Sequence, residues 1–377
     1  MVQIAIIGGG IGGLTAALAF QQSGFQPEIF EQAPALLDVG AAIAIWPNAM
    51  RVLERLQLAD KILANAGVIE EVRWLDQNGF LINRVSISET SEAHKSPAVA
   101  LHRADLQSTL LHALPATSIH LGHTLVDQTQ QGDKMIVTFA NGQTIEADFL
   151  IGADGIHSRV RSQFLNDGDP LHRGYTVWRG ISPDIPSAIP PGTAIELHGR
   201  GKRFGLGPVG LGRLGWWATA NTDDTDQLTD LFAGWYAPVI ELIKATPRES
   251  ILKTGAFDRE STKRWGSGRM TVLGDAIHPT TPNLGQGGCL AMEDALVLAR
   301  CFEKYGATEQ ALRCYERSRY KRTTAITKYS RYYGSVGQWE NIFARGFRRT
   351  ILSLVPEAAA RRVMQIVFDY DATKIRI

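Results

Sequence analysis

The 377-residue chain lacks three features that would each define a class of protein. Its only cysteines, Cys289, Cys301 and Cys314, are odd in number and have no metal-ligand spacing, which argues against a disulfide framework and a metal site. No stretch approaches the roughly 18 uncharged apolar residues of a membrane span. The 39 basic residues nearly balance the 38 acidic ones, so no nucleic-acid-binding surface is expected. These absences predict a soluble, cytoplasmic protein.

Glycine, in contrast, is abundant and is concentrated in two segments. The first segment follows a short apolar run at residues 4–7, which is typical of a buried strand, and precedes a predicted helix. Gly8, Gly10 and Gly13 form the pattern G-x-G-x-x-G between these two elements. Glycine permits the tight turn and the close approach of the backbone to a pyrophosphate, which the helix N-terminus then faces. The segment therefore predicts a dinucleotide-binding turn.

Glu31 adds to this prediction. It ends the second predicted strand, at residues 27–31, roughly 20 residues after the glycines, where a carboxylate accepts hydrogen bonds from ribose hydroxyls.

The second glycine segment follows the apolar strand at residues 270–273. Asp275 comes directly after this strand and can reach a polyol such as ribitol. Gly285, Gly287 and Gly288 place free backbone amides at the start of a helix, and such amides stabilise negative charge. The two segments together predict one extended ligand held at both ends, and FAD fits this requirement better than a nicotinamide cofactor.

Helices are predicted at residues 48–65, from 287 to about 302, and through the tail at 309–365. Glu293 and Asp294 lie early in the second of these helices, where acidic side chains suit the helix dipole, and we expect a structural role for both. In the segment around Gly152–Gly155, Asp154 taken alone is a turn former, while Arg159 and Arg161 taken alone are solvated surface charges.

The motifs taken together resemble one family. They occur in the family's order over about residues 3–300. The chain resembles the single-component FAD-dependent aromatic hydroxylases, which include salicylate, 3-hydroxybenzoate and FAD-type urate hydroxylases, with zeaxanthin epoxidase as a relative. The matching segments are Gly8–Gly13 with Glu31, 40–43, 46–48, 102–106, 152–155, 274–279 and 285–288.

The resemblance implies roles for individual residues. Arg103 and Gln107 would contact the phosphate or ribitol of FAD. Asp154 would serve both FAD and NAD(P)H binding, and Asp275 would hold the ribitol. Gly287 and Gly288 would face the pyrimidine edge of the flavin. The implied cofactors are a tightly bound FAD and NADH or NADPH as a transient reductant without a second dinucleotide-binding domain.

The resemblance also implies a reaction. NAD(P)H would reduce the flavin, and a flavin C4a-hydroperoxide formed with O2 would transfer one oxygen atom to a small aromatic or heteroaromatic substrate. Three alternatives stay open: a carotenoid or isoprenoid epoxidase of the same family, a polyprenyl reductase without oxygen insertion, and a non-catalytic flavin sensor.

Two residues are candidates for contact with the substrate or flavin. Arg203 resembles the substrate-anion arginine of urate hydroxylases, but residues 213–217 lack the tyrosine that those enzymes carry, which argues against urate. His278 follows the Gly-Asp motif and is either close to the flavin or a hydrogen-bonded structural residue. Trp216 and Trp217 alternate in direction on a strand, so at most one of them faces the pocket.

The expected fold is a mixed α/β (α+β) protein with three parts. A discontinuous Rossmann-like FAD-binding domain comprises residues 1–75, 100–170 and 266–330. An inserted, mostly antiparallel β substrate domain comprises residues 76–99 and 171–265, and a C-terminal helical region comprises residues 331–377. The basic amphipathic stretch at 341–365 allows contact with a membrane or a lipid-like substrate, but a docking helix with a solvated face is favoured.

Overall fold

The computed structural model describes residues 2–35, 40–88, 96–115, 118–222 and 227–377. Its strands, in chain order, are β1 (Gln3–Ile7), β2 (Gln26–Phe30), β3 (Ala42–Ile45), β4 (Gly67–Val68), β5 (Glu71–Asp76), β6 (Leu81–Ser86), β7 (Val99–His102), β8 (Ile119–His120), β9 (Leu125–Gln131), β10 (Lys134–Phe139), β11 (Thr144–Ala147), β12 (Phe149–Gly152), β13 (Leu171–Ser182), β14 (Thr193–His198), β15 (Lys202–Pro208), β16 (Leu214–Ala220), β17 (Leu252–Asp258), β18 (Gly266–Ser267) and β19 (Met270–Val272).

The α-helices in the same ranges are α1 (Ile11–Gln22), α2 (Pro47–Arg55), α3 (Ala59–Leu63), α4 (Arg103–His112), α5 (Arg159–Leu165), α6 (Leu228–Leu231), α7 (Ala237–Ala245), α8 (Gly287–Tyr305), α9 (Glu309–Gly337), α10 (Ile342–Leu354) and α11 (Glu357–Phe368). Short 3-10 turns occur at Arg248–Ser250, Gly274–Ala276 and Pro282–Leu284.

The sheet that positions the glycine segments has six strands in the order β18-β19-β12-β1-β2-β8. All neighbours are parallel except β18 and β19. Strands β1 and β12 are buried almost throughout, as expected for parallel strands covered on both faces. The carboxyl ends of β1, β12 and β19 therefore meet at one edge, where open α/β sheets bind their ligands.

A second sheet of seven strands has the order β17-β13-β16-β15-β14-β5-β6 and is antiparallel except for the pair of β14 and β5. Side chains on one of its faces, including Trp178, Phe204 and Trp216, form a hydrophobic core with Phe232 and Leu242 from the α6–α7 region. The opposite face carries the side chains that alternate with these, and it holds the polar groups described below.

This is the mixed α/β architecture that the sequence predicts. The three-part division of the chain stays a prediction, and residues 89–95 of its segment 76–99 lie outside the described residues. Because β5 begins at Glu71 and pairs with β14, we propose that the substrate domain starts near residue 71 instead of 76.

Two predicted helices are interrupted. The single helix expected at 48–65 is wrong, because α2 ends at Arg55 and α3 begins at Ala59, with Gln57 in the left-handed region at a φ of 61°. The helical tail at 309–365 is divided into α9, α10 and α11. In the described ranges, none of the helices has the length and apolar character needed to cross a membrane.

A buried cluster of charges joins α8 to α9. The guanidinium of Arg319 donates to Asp294 Oδ1 and to Glu293 Oε2, both at 2.6 Å, and all three side chains are fully buried. Burial opposes ionisation of Asp294, but His278 and Arg319 hold the pKa of this carboxyl below its usual range. Glu293 and Asp294 are structural, as predicted, although their main contact is this ion pairing and not the helix dipole.

We expect the substitution Arg319→Met to destabilise the protein by about 3–5 kcal/mol, because it removes the cation that two buried carboxylates share and leaves Glu293 with Arg322 and Asp294 with His278. The measurement is the free energy of unfolding in denaturant. Arg317→Met, which changes an exposed arginine of the same helix, is the control and should change this value by about 0.5 kcal/mol or less. Equal effects of the two substitutions would show that the cluster does not stabilise the fold.

Candidate active site

The first glycine segment forms the predicted tight turn between β1 and α1. A Cβ atom on Gly13 would lie 2.0 Å from the carbonyl oxygen of Gly8, and one on Gly8, whose φ is +109°, would lie 2.5 Å from the carbonyl oxygen of Ala153. A Cβ on Gly10 would meet nothing within 4 Å. Helix α1 has no side-chain cap, so its first amides are available to an anion. The turn therefore leaves space for a ligand beside Gly10, whereas protein atoms fill the space beside Gly8 and Gly13.

Glu31 follows β2 and folds back onto this turn. Its Oε2 accepts a hydrogen bond from the amide of Gly9 at 2.6 Å, and its Oε1 accepts one from the amide of Ala33 at 2.9 Å. Each carboxylate oxygen keeps a further lone pair. The predicted contact with a ribose is compatible with this placement and stays a prediction.

Arg103 and Gln107 lie on α4, which approaches the same turn. Nε2 of Gln107 donates to the carbonyl oxygen of Gly9 at 3.1 Å, so this side chain supports the turn directly. Arg103 begins the helix, and its positive charge acts on the carboxyl of Asp275. The two residues therefore lie between the first glycine segment and the second.

Asp275 lies in the 3-10 turn that follows β19, and its side chain is exposed. The pKa of its carboxyl is nevertheless raised, because desolvation outweighs the positive charges of His278 and Arg103. A Cβ on Gly287 would lie 3.8 Å from its Oδ1, so the exposed Asp275 carboxyl and the start of α8 border one solvent-accessible cleft.

The two glycine segments meet at the start of α8. Cβ atoms built on Gly12 and Gly274 would lie 3.3 Å and 3.0 Å from the Cβ of Ala291. Gly285 adopts a φ of +60° before α8, which also has no side-chain cap, and Gly288 faces Ile43. A single extended ligand held at both ends requires these segments to be neighbours, and they are.

Asp154 follows β12 and lies beside Gly8. Its Oδ2 accepts hydrogen bonds from the amides of Arg159 at 2.7 Å and Val160 at 3.2 Å, while its Oδ1 is buried without a partner. Desolvation raises the pKa of this carboxyl. The Arg159 side chain donates to the carbonyl oxygen of Leu125 at 2.7 Å, so it supports the motif mainly through its backbone.

Arg161 is not the solvated surface charge that the sequence alone indicates. It is 1% exposed, and its guanidinium donates to the carbonyl oxygen of Ile277 at 2.7 Å and to the carboxylate of Asp167. The arginine thus fixes the end of the turn that carries Asp275.

His278 is buried beneath the same turn. Its Nε2 lies 2.5 Å from Asp294 Oδ2, which also accepts the amide of Gly274 at 3.0 Å. Of the two roles considered from the sequence, this contact favours the hydrogen-bonded structural one.

The face of the seven-stranded sheet that lies opposite its hydrophobic core, here called the free face, carries a row of aligned side chains. The strand register places Arg179 beside Trp217, followed across the sheet by Gly205, Glu196 and Trp74. Trp216, on the opposite face, is buried and donates to Thr246. The alternation predicted for the two tryptophans is confirmed, and only Trp217 lies on the free face.

Arg203 lies on this free face, one row further along, and is fully buried. Its Nε donates to Gln338 at 3.2 Å and its Nη1 to Glu196 at 3.1 Å, while its Nη2 donates to Asn283. The guanidinium carbon also lies 5.2 Å and 5.6 Å from the ring centroids of Trp217 and Tyr333. Arg203 therefore links the sheet to the 3-10 turn just before Gly285.

Arg179 differs from Arg203 because its guanidinium is partly buried and has no hydrogen-bonding or ionic partner in the part of the chain that the structure describes. Desolvation lowers its pKa. The sequence placed this residue in the β insertion without a specific role. Its position on a strand next to Trp178 is the sequence feature that could have indicated a ligand contact. That the Arg179 guanidinium has no partner among the described residues is visible only in the structure.

These residues fit FAD. The open side of the turn at Gly10 and the uncapped N-termini of α1 and α8 suit its pyrophosphate and the electron-rich edge of its flavin. Asp275 offers an exposed carboxyl next to the start of α8. Across the described ranges, no group of three or more His, Cys, Asp or Glu side chains could hold a metal ion.

Comparison with known families identifies this arrangement. Residues 1–330 match the FAD_binding_3 family, which is described as an FAD binding domain. The chain belongs to this family.

Individual relatives agree with the assignment. The aurachin C monooxygenase/isomerase of Stigmatella aurantiaca is 37% identical over 374 residues, covering 96% of this chain and 97% of that protein. An FAD-dependent urate hydroxylase of Klebsiella pneumoniae is 35% identical over 326 residues, covering 83% and 85%. Among solved structures, Klebsiella pneumoniae HpxO complexed with FAD and uric acid is 30% identical, with a TM-score of 0.90 and coverage of 98% and 96%.

The predicted fold class, the resemblance to FAD-dependent hydroxylases and the FAD cofactor are therefore confirmed. The protein is an FAD-dependent monooxygenase, an oxidoreductase of the aromatic-hydroxylase type. The individual contacts of its residues with FAD stay predictions, and the next test addresses them.

We expect Gly10→Ala and Gly13→Ala to separate binding of FAD from stability of the fold. A methyl group on Gly10 has room in the protein but blocks the approach of a pyrophosphate, so FAD affinity should fall about tenfold or more at nearly unchanged stability of the apoprotein. A methyl group on Gly13 overlaps the carbonyl of Gly8 and should lower the free energy of unfolding by about 1–3 kcal/mol.

The two measurements are FAD titration of the apoprotein and denaturant unfolding. Gly24→Ala, which changes an exposed turn outside the site, is the control for FAD affinity. Full FAD affinity in Gly10→Ala would contradict the proposed position of the pyrophosphate.

Proposed function

We propose that this monooxygenase uses NADH or NADPH and dioxygen to hydroxylate a small aromatic or heteroaromatic compound. Bound FAD supplies the redox chemistry, since it can accept a hydride and activate oxygen for transfer. The observation that supports the substrate class is the free face of the seven-stranded sheet, where Trp217 lies beside Arg179 and Arg203 packs against Trp217 and against Tyr333 of α9. Aromatic rings suit a planar substrate, and a cation suits its anionic or phenolic group.

The cofactor would lie along the cleft between the two glycine segments. Backbone amides at Gly10 would hold the pyrophosphate, with Glu31 on the adenosine ribose. Asp275 would accept hydrogen bonds from the ribitol. Gly287 and Gly288 would face the pyrimidine edge, where the N-terminus of α8 stabilises negative charge.

Asn283 would join the cofactor side of the pocket to its substrate side. Its Nδ2 donates to the hydroxyl of Tyr175 at 2.9 Å, and its Oδ1 accepts from Arg203. Burial raises the pKa of Tyr175, which therefore keeps its proton at neutral pH. The network fixes these side chains next to Gly285, where the flavin edge would lie.

Of the two arginines, Arg179 is better suited to contact the substrate. The guanidinium of Arg203 already donates to three side chains, and its planar group is held between two rings. Arg179 retains its full donor capacity on the same face. An arginine without a counterion in a partly desolvated position gains most from an anionic ligand.

The proposed reaction predicts substrate-stimulated oxygen uptake. Holoenzyme mixed with NADH or NADPH should consume oxygen faster in the presence of a phenol, hydroxybenzoate or hydroxylated heteroaromatic acid, and the product should be heavier by one oxygen atom. Oxygen electrode traces and mass spectrometry of the product are the measurements, and carotenoids and prenylated quinones complete the panel.

Other outcomes favour the alternatives. Stimulation by carotenoids alone would indicate the epoxidase, and turnover without oxygen on a prenyl acceptor would indicate the reductase. Flavin reduction that no compound accelerates would indicate a sensor, and would contradict the proposed reaction.

We expect Arg179→Met to raise the KM for an anionic substrate by about tenfold or more, since a hydrogen bond to a charged group contributes about 1.5–3 kcal/mol. FAD content should not change. Arg200→Met, on an exposed turn, is the control and should leave both quantities unchanged. An unchanged KM in Arg179→Met would exclude this arginine from substrate binding without affecting the proposed reaction.

A further inference from the structure

A cavity of about 280 Å³ lies between α10 and the edge of the seven-stranded sheet, away from the two glycine segments. Arg345, Arg348 and Arg349 line it from the helix, and Asp76 and His198 line it from the sheet. No role considered so far uses this cavity.

Helix α10 directs Arg348 inward, while Arg345 is partly buried and Arg349 is exposed. At about 100° per residue, the arginine positions and the phenylalanine positions fall on roughly opposite sides of the helix. Phe343 is 83% and Phe347 61% exposed, whereas Arg348 is 7% exposed. The docking helix with a solvated face that the sequence favours stays a prediction, but in this helix Arg348 lies against the sheet and the two phenylalanines lie on the solvated side. The exposed apolar stripe leaves the predicted alternative of membrane contact untested.

The cations at this cavity outnumber the anions. Among the described residues that line it, Asp76 is the one carboxylate, and its Oδ2 lies 3.3 Å from Arg349. Arg348 donates only to carbonyl oxygens, those of Val336, Gly337 and Gly199. Arg345 has no hydrogen-bonding or ionic partner for its guanidinium in the ranges that the structure describes. Two of the three arginines thus lack an acidic partner.

His198 adds an unsatisfied polar group at the same place. It is 6% exposed, and neither of its ring nitrogens makes a hydrogen bond. Nε2 lies 3.4 Å from Glu196 Oε1, but the geometry is not that of a hydrogen bond. Buried polar groups without a partner are costly and rare, so a ligand that accepts a hydrogen bond here would be stabilised.

We propose that this cavity binds the phosphate group of a small phosphorylated molecule, with Arg345 as its cationic hydrogen-bonding contact, Arg348 as a further positive charge held in place by backbone carbonyls, and His198 as a neutral donor. Guanidinium groups match phosphate oxygens in geometry and charge. At neutral pH the imidazole is uncharged, because burial lowers the pKa of His198 to about 4, and it then keeps one N–H to donate.

Two sources of this phosphate are compatible with the chemistry, a pyridine dinucleotide and a free phosphate or diphosphate. The first rests on the proposed function. The chain has one dinucleotide fingerprint, which FAD uses, so the phosphates of NAD(P)H need a separate cationic site. Glu196 lies between His198 and Arg203, which connects the cavity to the proposed substrate pocket.

Calorimetric titration of the holoenzyme tests the proposal with four probes: orthophosphate, pyrophosphate, NAD⁺ and NADP⁺. We expect at least one probe to bind at one site. Arg345→Met should lower the affinity for that probe about tenfold or more. Gly346→Asp should have the same effect, because a Cβ at this position meets nothing within 4 Å and the new carboxylate would occupy the cavity. Gly346→Asn, of equal size and without charge, should weaken binding less. Arg362→Met, an exposed change on α11, is the control and should have no effect.

The pattern of effects identifies the source. Loss of NADP⁺ binding alone indicates a 2′-phosphate, equal loss for both dinucleotides indicates their pyrophosphate, and loss for the inorganic probes alone indicates a free phosphate. The proposal is wrong if no probe binds, or if every probe binds Arg345→Met and Gly346→Asp as it binds the unchanged protein. Oxygen uptake is a separate measurement, so failure of the proposed reaction with intact phosphate binding would leave this site in place.

Discussion

The ion pairs of Arg319 hold both ends of the second glycine segment. Asp294, fixed by Arg319, accepts the amide of Gly274 and so positions the turn that carries Asp275. Glu293, the other partner, accepts a hydrogen bond from Asn48 at 2.6 Å, and this amide also bonds the residue just before α8. The cluster lies wholly in low dielectric, where a missing charge is costly. The buried ion pairs of Arg319 with Asp294 and Glu293 therefore fix the positions of the turn that carries Asp275 and of the start of α8.

Close backbone packing is the second constraint on the cleft. The glycines at positions 8, 12 and 13 are required by contacts within the protein, since a side chain would overlap a neighbouring strand, helix or turn. Gly10 alone among the glycines at positions 8, 9, 10, 12 and 13 has open space beside it. The glycines of one motif therefore have two separate roles. Gly12 allows α1 to pack closely against α8, and Gly10 leaves room for a ligand to approach the backbone.

Local patterns explain how much of this could be predicted. A strand followed by glycines and a helix is encoded within about 20 residues, so the β1–α1 turn, Glu31 and the start of α8 followed from sequence spacing. The break at Gln57 did not, because helical periodicity continues across it. The surroundings of Arg161 and Arg179 could not be predicted either, since the first donates to the carbonyl of Ile277, far along the chain, and the second has no hydrogen-bonding or ionic partner among the described residues. The positions of long charged side chains depend on tertiary contacts, which cannot be read from the spacing of residues in the sequence.

The two arginines of the sheet show why residue type is a weak guide to ligand contact. Arg203 occupies the position that resembles a substrate-binding arginine, yet its donors are spent on Glu196, Asn283 and Gln338, and its burial is complete. Breaking those bonds to bind a ligand would cost about as much as the new contacts supply. A donor that has no protein partner loses no such bond when a ligand binds, and among the described residues this holds for Arg179 at the proposed pocket and for Arg345 at the cavity. Unused hydrogen-bonding capacity, more than charge alone, is therefore the basis on which we propose these two ligand sites.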